Sequence, residues 1–90
     1  MKSILRASIP VQMISCTDTD GKVTPMRFRF RDNDGSLVSV TIENILKRES
    51  IAKSIGIDYQ CTANIYGMEK HFTLHYNYSM HEWKMTQISQ

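Results

Sequence analysis

Apolar and polar residues alternate with a period of two along most of the chain, and two Asp-Gly turns impose one common face on the first three strands. Met26-Arg27-Phe28-Arg29-Phe30-Arg31 and Leu37-Val38-Ser39-Val40-Thr41-Ile42 have the spacing of half-buried strands, expected at roughly 24–31 and 36–43. Between them Asn33-Asp34-Gly35 reads as a three-residue loop, with Gly35 taking the left-handed conformation that costs it nothing. That loop sets Phe30 opposite Val38, Phe28 opposite Val40 and Met26 opposite Ile42. Arg29 then faces Ser39, and Arg27 faces Thr41. A two-residue loop would pair Phe30 with Ser39 and mix the faces, so the hydrophobic pattern selects the register. Asp20-Gly21, read as a two-residue loop, places Met13 opposite Phe28 and Val11 opposite Phe30.

The same alternation marks a strand from Leu5 to Met13, in which Pro10 falls on the outward phase. A proline donates nothing to a ladder, so this strand is expected at an edge, or with the proline nitrogen facing away from its partner. The second half repeats the logic. Tyr59, Cys61, Ala63 and Ile65 share one phase, as do Phe72, Leu74, Tyr76 and Tyr78. Gly67-Met68, as a type II′ turn, would set Ala63 against Phe72, Cys61 against Leu74 and Tyr59 against Tyr76. Glu82 to Ser89 forms a last strand that turns Trp83 and Met85 inward. Between Asn44 and Ile57 the period breaks: Ile51, Ala52 and Ile55 share a helical face and Gly56 suits the residue after a helix end. A short helical turn near 48–55 is the favoured reading and a bulged continuation of strand three its competitor. The fold class expected is mainly β: a six-stranded antiparallel meander forming one small, strongly bent sheet or barrel. Its core is Phe28, Phe30, Val38, Val40, Cys61, Leu74, Tyr76 and Trp83.

Composition changes this picture little. Ninety residues, 41% hydrophobic and 22% charged, make one domain over 1–90 of ordinary globular character. No run approaches the roughly 20 apolar residues of a membrane helix, and Arg6 interrupts the N-terminal apolar pair before a signal-peptide core develops. A cytoplasmic protein without a membrane role is expected. Cys16 and Cys61 lack CxxC spacing and are too few for a disulfide framework; Cys61 reads as a buried apolar residue. A formal charge of +2 is too mild to argue for nucleic acid by itself.

Arg27, Arg29 and Arg31 carry the most distinctive chemistry, since strand geometry aligns them outward about 6.5 to 7 Å apart. That is close to the phosphate spacing along a nucleic-acid strand, and Lys47, Arg48 and Lys53 are placed to extend the patch. A solvated face kept soluble by charge, with Glu43 diagonal to Arg27, accounts for the same residues. Single-strand binders interleave exposed aromatics, and here Tyr66 alone looks outward. His71 and His75 share a face about 13 Å apart, too far to ligate one ion; His81 falls in a turn, and no metal site or cofactor is expected. Asp18-Thr19-Asp20-Gly21 resembles a calcium-loop fragment but lacks the third acidic position and the bidentate Glu, so it reads as a turn. No nucleophile with a base and no carboxylate pair is apparent, so no catalytic residue is assigned and the protein is not expected to be an enzyme.

Taken as a set, Ile9-Pro10-Val11-Gln12-Met13-Ile14, Thr24-Pro25-Met26-Arg27-Phe28-Arg29-Phe30, Asp34-Gly35, Val40, Ile45-Leu46, Tyr59-Gln60-Cys61, Gly67-Met68-Glu69, Leu74-His75-Tyr76 and Trp83 resemble a family of short uncharacterised bacterial proteins of Gram-positive anaerobes. Some of its members are encoded near lesion-bypass DNA polymerases, so the resemblance implies an accessory role in DNA handling. It supplies no catalytic residues. The chain departs from the family pattern at Ile51 to Gly56, where relatives are more charged and carry a Gly-Asn turn. Two functional classes follow. One is a non-enzymatic accessory or binding module that meets an unknown protein partner or a second copy by edge-strand pairing. The other is a nucleic-acid-binding accessory protein using Arg27, Arg29 and Arg31, with Lys47 and Arg48.

Overall fold

The computed structural model describes residues 8–52 and 55–89, with side chains up to residue 86. Seven strands and no helix are present among them: β1 (Ile9–Thr17), β2 (Val23–Arg31), β3 (Leu37–Thr41), β4 (Asn44–Ala52), β5 (Gly56–Ile65), β6 (Met68–Asn77) and β7 (Glu82–Ser89). They form one antiparallel sheet in the order β3-β2-β1-β7-β6-β5-β4, curled into a half-barrel. No described helix is long and apolar enough to cross a membrane.

Two strands make the corners at which the sheet turns, a device typical of orthogonally packed sheets. Ile9 to Val11 of β1 pair with β7, whereas Gln12 to Thr17 pair with β2. Pro10 therefore stands where β1 has β7 alone as a ladder partner, although β1 lies inside the sheet rather than at its edge as expected. Residues Leu5 and Ala7 of the predicted first strand lie outside the described residues. The second corner is the β3–β4 junction. Ile42 donates its N–H to Met26 O in β2, while the next residue, Glu43, donates to Thr62 O in β5, both at 3.0 Å. Successive N–H groups of an extended chain point to opposite sides, so β3 and β4 are two halves of one bent strand that joins the ends of the sheet. The helical turn expected near 48–55 is absent: β4 runs extended through Ala52, antiparallel to β5. Residue 53, read as a possible extension of the basic patch, is outside the described residues. Ile51, like Leu46, is a bulge residue that the β4–β5 register skips, and bulges break strand alternation in a way that imitates a helical period.

The β2–β3 hairpin adopts the expected register, Phe30 against Val38 and Phe28 against Val40, around Asn33-Asp34-Gly35, with Gly35 at φ 87°. The β1–β2 hairpin reaches its expected Met13–Phe28 pairing by another route. Asp18 N–H donates to Lys22 O and Gly21 N–H to Asp18 O, which makes the loop three residues, Thr19-Asp20-Gly21. A bulge at Met26, between the Ile14–Arg27 and Ser15–Pro25 pairs, then restores the register. Its consequence is local: Pro25 is buried and Met26 is exposed, correcting the inward placement of Met26. In the β5–β6 hairpin the loop is Tyr66-Gly67, both at positive φ, 56° and 78°, as a type I′ turn requires. Cys61 consequently meets Phe72, Tyr59 meets Leu74 and Ile57 meets Tyr76. The slip from the expected pairing is two residues on one strand, so each side chain keeps its face.

One core cluster results. Phe28, Phe30, Val38, Val40, Cys61, Leu74 and Trp83 are buried as expected, joined by Ile57, Tyr59, Ala63, Ile65, Phe72 and Met85. Tyr76 is only partly buried and packs against them. Phe72 meets Phe28 edge-on, at 5.5 Å and 66°, which ties the two halves of the curl together. Thr62 and Thr73 lie on the outward phase yet are covered by their neighbours.

Candidate functional site

The arginine row stands as the alternation predicts. Arg27 is flanked by Ile14 and Thr41, Arg29 by Gln12 and Ser39, and Arg31 by Leu37, and all three arginines are exposed. Arg29 Nη2 donates to Gln12 Oε1 at 3.0 Å and Arg31 Nη1 to Gly35 O at 2.7 Å, so two of the side chains are oriented by neutral acceptors. None of the three is ion-paired among the described residues, and Glu43 makes no such bridge to Arg27. Shallow grooves of about 300 and 340 Å³ lie to either side of Arg29. The Tyr66 hydroxyl, at the tip of the β5–β6 hairpin, donates to Asp32, the residue after Arg31. An exposed aromatic ring thus stands at the Arg31 end of the row, a neighbourhood the strand pattern alone does not show.

Lys47 and Arg48 are on β4, which pairs with β5 and not with β2. Lys47 bridges Glu49 at 3.7 Å, and the Arg48 guanidinium lies over the Tyr59 ring, 5.5 Å from its centroid. Burial pushes the Tyr59 phenol above its ordinary range, and Arg48 offsets part of that. β4 is one of the two terminal strands, with β3, and eight of its nine residues are exposed, among them Ile45, Leu46 and Ile51.

A cleft of about 600 Å³ opens where β1 leaves β7, lined on the inner side by Val11, Met13, Val23, Tyr76 and Trp83 and at the rim by Ser15 and His81 among others. The Tyr76 hydroxyl and His81 Nδ1 are 3.2 Å apart. His81 is at φ 55°, one of two non-glycine residues at positive φ among those described.

His71 and His75 both lie on β6, and His75 has partners that the sequence reading missed. Its Nδ1 faces the Asp58 carboxylate and its Nε2 is 2.9 Å from Thr86 Oγ1. A carboxylate only accepts, so Nδ1 carries the proton and, in the neutral ring, Nε2 accepts from the Thr86 hydroxyl. The order hydroxyl, imidazole, carboxylate is that of hydrolase triads. Here, however, it spans three adjacent strands on an outward face, without the strained elbow that exposes a nucleophile, and it reads as a cross-strand polar ladder. The β5–β6 register hid it, because a Gly67-Met68 loop would put Gln60, not Asp58, opposite His75. No group of three or more metal-ligating side chains occurs among the described residues. The Asp18 carboxylate accepts from Asp20 and Lys22 N–H groups, both at 2.9 Å, which makes the supposed calcium-loop fragment a turn.

No family model, curated protein or solved structure matches the chain.

Proposed function

We propose that this protein is a non-enzymatic binding module that meets a protein partner, or a second copy of itself, by pairing along the edge of β4. The observation that carries this reading is the exposure of β4, a nine-residue terminal strand with Ile45, Leu46 and Ile51 open to solvent. A sheet edge presents unpaired N–H and C=O groups, and exposed apolar side chains along it favour association over solvation. The Leu5–Met13 strand, expected at an edge or with its proline nitrogen turned away, lies inside the sheet, whose two terminal strands are β3 and β4; β4 is the longer of the two. Free cysteines, Cys16 exposed and Cys61 buried, suit a reducing compartment, so the cytoplasm is the proposed location.

Sedimentation velocity over a range of concentrations tests the self-pairing form, with Ile51→Lys as the edge-blocking variant. The expected result is a dimer that Ile51→Lys abolishes while the variant stays folded, with a melting temperature equal to that of wild type at concentrations where wild type is monomeric. A monomer at every concentration removes that form. The partner form then requires a protein captured by wild type and lost with Ile51→Lys, but retained with Arg27→Ser.

A second reading is favoured by Tyr66 standing beside the unpaired arginine row: a single-stranded nucleic acid would lay phosphates along Arg27, Arg29 and Arg31 and stack a base on Tyr66. It is also the role that the family resemblance implies. Fluorescence anisotropy at two salt concentrations tests it. Three phosphate contacts predict a slope of log affinity against log salt of about −2, flattened by replacing the three arginines with serine. Absence of binding at low salt overturns it.

A further inference from the structure

We infer that the cleft between β1 and the β6–β7 hairpin is a binding site for a small, uncharged, planar ring compound. The cleft follows from topology. Among the described residues β1 and β7 pair from Ile9 to Val11, after which β1 swings to β2 and leaves a wedge of about 600 Å³, within the range of small-molecule pockets.

Its inner wall ends an aromatic series. Tyr59 is fully buried, Trp83 lies 5.6 Å from it at 33°, and Tyr76 lies 4.7 Å from Trp83 at 34°. Trp83 and Tyr76 both line the wedge, so an aromatic ligand would continue a tilted stack that the protein already holds in place. Val11, the cross-strand partner of Trp83, and Met13 add apolar lining, and methionine adapts to rings of different outline. The rim is polar without a dominant charge. Ser15, Thr17, His81 and the Tyr76 hydroxyl offer hydrogen bonds, while Glu82 and Lys84, both on β7, oppose one another. An ionic ligand gains nothing there, and a neutral ring with hydroxyl, carbonyl or amine substituents does.

His81 holds φ 55° at the rim, where it closes the turn after β6 by donating its N–H to Asn77 O at 2.9 Å and meets the Tyr76 hydroxyl through Nδ1; glycine would sit there without strain.

The test is a ¹H–¹⁵N NMR titration of the full chain with 2-naphthol and with adenosine, both neutral, alongside naphthalene-2-sulfonate and a capped Val-Thr-Val-Thr peptide. Saturable shifts of the Trp83 indole N–H and the His81 amide are expected with at least one neutral compound, at a dissociation constant of about 1 mM or below. Ser15→Phe, which fills the wedge from its exposed rim, should weaken that binding about tenfold or more. His81→Gly should weaken it while leaving the melting temperature equal or higher, a separation that a purely structural histidine does not give. No saturable shift with either neutral compound, shifts that survive Ser15→Phe, or tighter binding of the sulfonate or the peptide would each overturn the inference.

Discussion

Gly56 in β5 and Tyr76 in β6 approach so closely that a β-carbon on Gly56 would overlap the backbone carbonyl oxygen of Tyr76. Its place in the sequence suggests a helix end, but its φ is not left-handed and the strand needs it for space. Gly56→Ala is therefore expected to destabilise the fold by about 1 to 3 kcal/mol, the range for overpacking a tight site. Urea unfolding measures it, and a midpoint equal to wild type would show that the β5–β6 pair relaxes without cost.

Phe28 is 1% exposed and packs on both Phe30 and Phe72. Truncation to alanine is expected to cost about 3 to 5 kcal/mol, a large part of the stability of a domain this small. Thermal denaturation against Ser39→Ala, an exposed position on the neighbouring strand, provides the comparison. Equal midpoints for the two variants would mean that the core is assigned to the wrong face.

The Tyr66 hydroxyl bonds to the Asp32 carboxylate, which holds the phenol pKa up at about 12. The folded phenol keeps its proton more tightly than the unfolded one. The contact's contribution is therefore whole below the ordinary tyrosine value of 10.0 and is lost as pH rises from there towards about 12. Ultraviolet difference titration of wild type against Tyr66→Phe isolates this group, and Asp32→Asn should return it towards its ordinary value. Titration unchanged by Asp32→Asn would refute the contact.

Burial pushes the Cys61 thiol up to about 12, whereas Cys16 is exposed. The thiolate is the reactive form, so a disulfide reagent at neutral pH should label one thiol per chain promptly and the second only on unfolding. Mass mapping should assign the fast site to Cys16. Prompt labelling of Cys61 would place β5 in an environment more open than its packing allows.

The candidate sites were legible in proportion to how local they are. The outward phase of Arg27, Arg29 and Arg31 needs only strand alternation, and it holds. Tyr66 beside Arg31 needs two hairpin tips, 34 residues apart in sequence, to meet, and the cleft needs the change of partner within β1. The Asp58–His75 contact needs the β5–β6 register, which depends on Tyr66 accepting a positive φ. Tyrosine is uncommon there, so Gly67 looks like the first turn residue rather than the second.

What the sequence by itself determined is the inward face of most strand residues, because the faces of a strand alternate and hairpin slips of two residues preserve them; the one-residue bulge at Met26, which exposes Met26 and buries Pro25, is where that rule gives way. Phe28, Val40, Leu74 and Trp83 could only belong to one core. The tertiary structure alone decided how the ends of the sheet meet. Glu43 pairs with β5 rather than β2 because the curling sheet brings Thr62 alongside the bend after Ile42, and that proximity is written in the summed twist of seven strands, not in any local pattern.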